Sequence, residues 1–424
     1  MHSGCFERLP AAGNRNGTDV NNVGDNGNYW SSTANGSNNA YNLNFDDNNV
    51  NPDDNNNRYN GNSVRLVQHP FPEERLLSEL FLSYYSARSN KRNTYSQIRF
   101  ERDLSRNLIE LWEDIASFRY RVGRSMCFII RRPIQREVFA ASFRDRIVHH
   151  LLYRYLMPIF EPTFIYDSYS CRVGKGTLFG IDRLEHHIRS VSRNYTRPCY
   201  VLKLDILGYF MSIDRTVLHW IVMDTLQRKG RTDDVLFPYV ADLLPKVIFN
   251  DPTRGCYRKG SPQDWDGLPL SKSLFHARPG CGLPIGNLTS QLFSNIYLNG
   301  LDQFVKRELG CRHYGRYVDD FYLVDASPER LLSCVAPIRA FLKEDLHLTL
   351  HPRKLYLQEQ AKGVPFLGCV LKGGRRRLSR RASRLMRERL LEVLTREENP
   401  FQVRSVVNSY RGHCLHSAGT GPLM

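Results

Sequence analysis

The sequence of 424 residues contains no pair of cysteines at CxxC spacing, although ten cysteines are scattered between Cys5 and Cys414. Neither a zinc knuckle nor a disulfide framework has the spacing it needs, so reduced thiols are expected. No eighteen apolar residues run together, and no basic stretch leading into an apolar one opens the chain. Membrane spanning and secretion therefore both lack a signal, and a cytoplasmic protein with no membrane partner is expected. The first 68 residues have no lysine at all: four Arg against seven acids leave a net −3 there. Because the whole chain is at +16, residues 69–424 carry +19, an excess that favours a polyanionic partner.

What the N-terminal stretch does have is asparagine, 19 of them from Asn14 to Asn62. Such a composition buries little apolar surface against chain entropy, which predicts disorder for residues 1–68. Yet Tyr29, Trp30, Tyr41, Leu43, Phe45, Val50, Tyr59 and Val64 recur in short alternating phrases, like strand fragments cut from a β-rich domain.

After Pro72 the texture changes. EERLLSELFLSYYSARSNKRN, FERDLSRNLIELWEDIASF, FRDRIVHHLLYRYLMPIF, HWIVMDTLQRKG, SQLFSNIYLNGLDQFVKREL and SPERLLSCVAPIRAFLKEDL carry helical spacing. CYVLKLDI, HYGRYVDDFYLVDA, KLYLQEQ and VPFLGCVLKGG read as short strands, and residues 126–139 are rich in β-branched and aromatic types. Strands separated by helices predict an α+β fold. Between Lys372 and Arg389 stand nine basic residues and one acid, which reads as a basic helical element with Leu385, Met386, Leu390, Val393 and Leu394 on one face. It is either a nucleic-acid contact or an ordinary solvated face.

The sharpest chemical feature is Asp319-Asp320, two adjacent acids inside the apolar, aromatic run Tyr317 to Phe321. Such carboxylates repel one another and resist desolvation unless a cation sits between them. A second strand, Val201 to Ile206, ends its apolar run on Asp205. If the two strands are neighbours, these acids would hold two Mg²⁺, the hard cation that suits oxygen ligands. Singly, each Asp is also an ordinary cap or turn former. The third feature is the Gly-rich loop Gly280 to Gln291, whose backbone can approach a nucleotide or template closely, or merely open a capped helix.

In order, Asp205 in LDILGYF, IGNLTSQ at 285–291, YVDD at 317–320, LHLTLHPRK ending at Lys354 and VPFLG at 364–368 resemble the palm motifs of reverse transcriptases. Upstream, REVFAASFRDRIVHH and SYSCRVGKGTLFGIDRL resemble the fingers motifs of the bacterial members, those of group II introns, retrons and diversity-generating retroelements. The resemblance covers about residues 75–415. It implies a right-hand polymerase fold: helical fingers at 69–195, a ferredoxin-like palm sheet at 196–371 with an insertion near 229–279, and a helical thumb at 372–424 that stops early.

The resemblance also implies roles. Asp205, Ile206, Asp319 and Asp320 would hold the two Mg²⁺, with Mn²⁺ a possible substitute, and Lys354 would assist the leaving pyrophosphate. Phe210 would exclude a ribose 2′-hydroxyl, and Arg136 and Arg146 would meet the triphosphate or else pair with Glu137 and Asp145. Ile285, Gly286, Ser290 and Gln291 would line the nascent pair, and Phe366, Leu367 and Gly368 would grip the primer. Lys372, Arg375, Arg376, Arg377, Arg380 and Arg381 would follow the template-primer backbone.

The pairing of Ile285-Gly286 with Ser290-Gln291, and the insertion FNDPTRGCYRKGSPQDWDGLPLSKSLFHARPG, are most similar to the diversity-generating group. That group copies a template-repeat RNA into cDNA with errors opposite adenine, using dNTPs and a small basic accessory variability protein. Ile285 offers no side-chain amide where a Gln would, and losing one oriented contact loosens discrimination by about 1–3 kcal/mol, unless Ile285 simply packs. Residues 1–68 then read either as that template repeat translated in frame or as a tail of another origin. A retron-like or abortive-infection polymerase in phage defence, and a non-catalytic nucleic-acid-binding relic, are the alternatives.

Overall fold

Alternating phrases in the asparagine-rich stretch pair as strands, because a backbone ladder satisfies N–H and C=O groups whatever side chains they carry. These strands are β1 (Ala12–Asn16), β2 (Asp19–Val23), β3 (Gly27–Asn35), β4 (Asn39–Phe45), β5 (Val50–Asn57) and β6 (Gly61–Asn62). They form one sheet in the order β2-β1-β3-β4-β5, with β6 paired to β1. The alternation noted in the sequence sets the register, with Tyr29 opposite Leu43 and Phe45 opposite Val50. Where residues 1–68 are described, between 12 and 62, these strands replace the disorder that was expected. Composition weighed apolar burial alone and left out the pairing of neighbouring strands.

The computed structural model describes residues 12–16, 19–23, 27–35, 39–46, 50–57, 61–62, 72–89, 93–132, 134–395 and 400–415. The chain divides into Met1–Phe71 and Pro72–Met424. The boundary expected at residue 68 and the chain end at 416–424 lie outside the described residues.

The second unit begins with α1 (Pro72–Ser89), α2 (Tyr95–Glu101) and α3 (Leu104–Ala116), followed by the hairpin β7 (Met126–Ile130) and β8 (Arg136–Ala140). The long helix α4 (Phe143–Phe160) starts at Ser142, whose hydroxyl accepts from the Asp145 N–H at 3.2 Å, and α5 (Thr177–Ser192) follows. Next come β9 (Tyr200–Asp205), the short α6 (Tyr209–Ser212), α7 (Arg215–Arg228), α8 (Phe237–Ile248) and β10 (Tyr257–Arg258), which adds parallel to β7. Then α9 (Leu288–Gln303) leads through a wider turn at Phe304–Glu308 to β11 (Tyr314–Tyr317) and β12 (Asp320–Asp325). The helix expected over 327–346 is broken into α10 (Pro328–Ser333) and α11 (Val335–Glu344), because Pro337 has no N–H to continue the ladder. The remaining elements are β13 (Tyr356–Glu359), β14 (Val364–Phe366), β15 (Cys369–Lys372), β16 (Arg375–Leu378), α12 (Arg380–Thr395) and α13 (Pro400–Leu415).

The central sheet has the order β11-β12-β9-β13, antiparallel throughout. Both faces are covered, so the central strands β9 and β12 are largely apolar along their middles, apart from Lys203. Leu202, Leu204, Phe321 and Leu323 join the core built with Ile147 and Leu151 of α4 and Phe293 and Ile296 of α9. Val201, Tyr322 and Val324 face the other way, onto Ile181, Leu184 and Ile188 of α5 and onto Val364, Phe366 and Leu371 of the small sheet β14-β15-β16. The sheet passes under this second layer closely at Gly315, which stands opposite Tyr322. A Cβ there would overlap the Tyr169 hydroxyl and lie 2.6 Å from that of Tyr322. Gly315→Ala should therefore lower stability by about 1–3 kcal/mol, read as a fall in urea midpoint at unchanged m.

The basic element expected as helix from Lys372 starts instead as a hairpin. Gly373 and Gly374, with φ of 53° and 74°, make the tight turn between β15 and β16, and helix begins only at Arg380. Its apolar face is also narrower than the spacing suggested: Met386 and Val393 are buried, whereas Leu394 is 66% exposed. Among the described residues no helix is long and apolar enough to cross a membrane.

Candidate active site

The register of β9 and β12 sets Asp320 directly opposite Asp205, with Lys203 opposite Tyr322 two residues away. Opposed residues share a face, so two carboxylates stand side by side, an arrangement that disfavours an ordinary sheet. Lysines answer part of the charge. The Lys354 ammonium donates to both Asp205 carboxylate oxygens at 3.0 and 2.9 Å, and Lys203 Nζ lies 3.4 Å from Asp320 Oδ1. Asp319 lies in the two-residue turn Val318-Asp319 that joins β11 to β12, and forms no ion pair among the described residues. Burial, and then the charge of Asp205, push its carboxyl up to about 6, and burial also raises Asp320.

Among the described residues no three Asp, Glu, His or Cys side chains stand close enough to hold an ion as they are placed. The donor chemistry nevertheless fits a hard divalent cation: three carboxylates on one strand pair and its turn, two of them weakened as acids by burial and by mutual repulsion. Ile206, buried beside Asp205, bridges to Leu350, and the His351 N–H donates to the Asp205 carbonyl at 2.8 Å. This pairing brings the segment ending at Lys354 alongside the acid.

The turn itself is held from below. Val318 has φ of 58°, the left-handed region that a β-branched residue rarely enters. The fully buried Arg316 donates through Nη1 to the Val318 carbonyl at 3.0 Å. Arg316 in turn meets both carboxylate oxygens of fully buried Asp302 on α9, at 2.8 and 2.6 Å. Asp302 holds the Arg316 pKa above its usual value against the opposing effect of burial. Neither residue stood out in the sequence as functional. The available signal was that each is the only charged residue of its element, Arg316 of β11 and Asp302 of α9.

The Gly-rich loop docks on β8 and α4. The Ile285 carbonyl accepts from Phe139 N–H at 2.8 Å, Asn287 Oδ1 from Ala141 N–H at 3.2 Å, and Thr289 Oγ1 is 2.8 Å from His149 Nδ1. Gly286, at φ 124°, approaches so closely that a Cβ would lie 2.8 Å from Val138 Cγ1 and 2.9 Å from the Phe139 carbonyl. Ile285 is half-buried against the cluster of Phe139, Met211 and Leu274, so it does pack. Ser290 is buried, while Gln291 and Gly286 are exposed. Phe210, half-buried, lies with its ring 5.5 Å from that of Tyr209, and its carbonyl accepts from Leu283 N–H at 2.8 Å.

The ion pairs considered for the two arginines are not formed. Glu137, fully buried, instead accepts from Trp265 Nε1, Ser273 Oγ and the Leu274 N–H at 2.8, 3.0 and 2.7 Å, tying the insertion to β8. Asp145 is taken by Tyr120, Ser142 and the Gly123 N–H. Arg136 is exposed at the start of β8. Arg146 is half-buried and, among the described residues, has no ion-pair partner, and burial lowers its pKa.

In the hairpin at 364–372, Leu367 and Gly368 form the turn, with φ of 46° and 85°, and reach the surface. Phe366 does not: its ring is buried edge-on to Tyr322 at 5.1 Å, so it supports the hairpin from inside. Lys372, Arg375, Arg377, Arg380 and Arg381 are exposed. Arg376 departs from this set, because its guanidinium is engaged by Asp182 and, at 2.5 Å, by Glu185 on α5.

A family model described as reverse transcriptase (RNA-dependent DNA polymerase) matches residues 135–371, and a domain of unknown function matches residues 5–67. The protein YkfC of Escherichia coli strain K12 is 26% identical over 294 residues, which covers 61% of this chain and 66% of that one. Among solved structures, apo telomerase from Candida tropicalis, truncated from the C-terminal domain, is 12% identical at a TM-score of 0.43, covering 60% of this chain and 55% of that one. Telomerase from Candida albicans in complex with a TWJ fragment of telomeric RNA is 11% identical at a TM-score of 0.42, covering 73% and 58%. The chain thus spans just under two thirds of the length of YkfC and little more than half of each telomerase. The family match takes in more than half of the 424 residues and every acid of the site, and the chain belongs to the reverse transcriptase (RNA-dependent DNA polymerase) family.

Proposed function

We propose that this chain is an RNA-directed DNA polymerase of right-hand build, with fingers at 69–195, palm at 196–371 and thumb at 372–424. The observation that carries the reading is the placement of Asp205 opposite Asp320 with Asp319 in the adjoining turn. Two divalent ions, Mg²⁺ or Mn²⁺, would be held by these three acids together with Ile206, and would supply the positive charge that lowers the pKa of a primer 3′-hydroxyl and neutralises departing pyrophosphate. Arg146, which has no carboxylate partner among the described residues, and exposed Arg136 would bind the triphosphate. Phe210 would close the pocket against a 2′-hydroxyl, beside a nascent pair lined by Ile285, Gly286 and Gln291. Lys354 would leave Asp205 for the pyrophosphate and give up a proton from Nζ. Most of the acceleration would come from positioning primer and nucleotide.

Leu367 and Gly368 would touch the primer strand, and the exposed cations of β15, β16 and α12 would follow the template-primer backbone. Arg377→Ala should reduce the salt slope of RNA–DNA duplex binding by about one, whereas Arg376→Ala should leave the slope alone and lower the melting temperature instead. Fluorescence anisotropy from low to moderate salt reads the first, and a thermal melt the second.

Within the family we place the chain in the diversity-generating group, on Ile285 in the loop and on the insertion that Glu137 ties to β8. Its template would then be a template-repeat RNA, its partner a small basic accessory protein, and residues 1–68 the translated repeat. Deep sequencing of cDNA made on a defined RNA template tests this: substitutions concentrated opposite template adenines are expected. Faithful cDNA would end the diversifying assignment and favour a retron-like or defence polymerase.

A further inference from the structure

We infer that Arg316 and Asp302 are positioning residues for the acid-bearing turn, an inference that rests on the active-site reading above. All five N–H donors of the Arg316 guanidinium are used. Nε and Nη2 meet Asp302 at 2.8 and 2.6 Å, Nη1 meets the Val318 carbonyl at 3.0 Å and Asn295 Oδ1 at 3.4 Å, and Nη2 meets Ser168 Oγ at 3.4 Å. The Tyr314 hydroxyl adds a donor to Asp302 at 2.7 Å. The backbone of Arg316 is fixed as well, its N–H on the Asp167 carbonyl at 2.9 Å and its carbonyl on the Tyr169 N–H at 3.0 Å.

One of those donors reaches the catalytic turn. The Val318 carbonyl and the Asp319 N–H belong to one planar peptide, so fixing the carbonyl direction fixes the plane from which Asp319 departs. Val318 pays for this orientation with a left-handed conformation that its branched side chain resists. Without the guanidinium the turn is free to relax, and the Asp319 carboxylate swings away from Asp205 and Asp320. A buried ion pair is replaceable by apolar residues of similar volume with little loss of stability, so packing alone does not demand one here.

The double variant Arg316→Met with Asp302→Leu removes the pair without leaving a buried charge, and Arg316→Lys keeps the charge while losing the planar fork. Steady-state nucleotide incorporation by the full chain on an RNA template is measured for each, beside a thermal melt. We expect kcat to fall 10- to 100-fold with the KM for dNTP within twofold and the melting temperature little changed in at least one of the two. Adding Val318→Asn, which enters the left-handed region readily, should recover at least part of the lost kcat. Wild-type kcat in Arg316→Lys or in a folded double variant would overturn the inference, as would losses that track melting temperature and no recovery with Asn. Asp319→Asn serves as the control: if it retains activity, the active-site reading itself fails, independently of the clamp.

Discussion

Asp302→Ala should destabilise the Pro72–Met424 unit by about 3–5 kcal/mol, because it leaves the Arg316 guanidinium fully buried with its charge uncompensated. Urea denaturation followed by far-UV circular dichroism reads this as a shift in midpoint. The magnitude comes from desolvation. Asp302 is what holds the Arg316 pKa above its usual value despite burial, and without that carboxylate only neutral oxygens of Val318, Asn295 and Ser168 remain. The loss should far exceed that of an exposed pair such as Arg106 with Glu110, where solvent screens both charges.

Asp319→Asn should have the opposite balance of effects. Incorporation should fall on the order of 1,000-fold, about 4 kcal/mol of barrier, since an amide keeps the shape and loses the charge that a divalent ion needs. Stability should hold or rise slightly, because the native carboxylate is buried beside Asp205 and Asp320 and its ionised form is resisted by both. A substitution that removes activity while raising the melting temperature is the signature of an acid placed for chemistry at the expense of the fold. Asp320→Asn should cost less activity, as Lys203 already answers part of its charge. Single-turnover incorporation and a thermal melt on the same preparations separate the two effects.

The acids were legible in the sequence because Asp205 and Asp319-Asp320 interrupt runs that, apart from Lys203, are otherwise Val, Leu, Ile, Tyr and Phe. Their neighbouring strands followed from the order of motifs, and the structure pairs β9 with β12 accordingly. Arg316, Asp302 and Glu137 stand among mixed neighbours, Glu137 directly after Arg136 and Asp302 just before Gln303, and each is satisfied across the fold, Asp302 by Arg316 and Glu137 by Trp265, Ser273 and Leu274. A sequence shows the charge and not its partner, which is why Glu137 was paired with its neighbour Arg136 and Arg316 and Asp302 passed unremarked. The reading of 364–374 as strand holds for β15, whereas Arg375–Leu378, expected as part of the basic helix, return as β16 because Gly373 and Gly374 turn the chain back. The N-terminal strands were misjudged for a different reason: asparagine composition says little about a backbone ladder formed between neighbouring segments.

The most direct measurement is primer extension by the full chain on an RNA template, with a DNA primer, dNTPs and Mg²⁺, run in parallel with Asp319→Asn. The account predicts extension to the template end by the wild-type chain and none by the variant, with both binding the duplex equally. A wild-type protein that binds the duplex and adds no nucleotide, or a variant that extends at the wild-type rate, would contradict it.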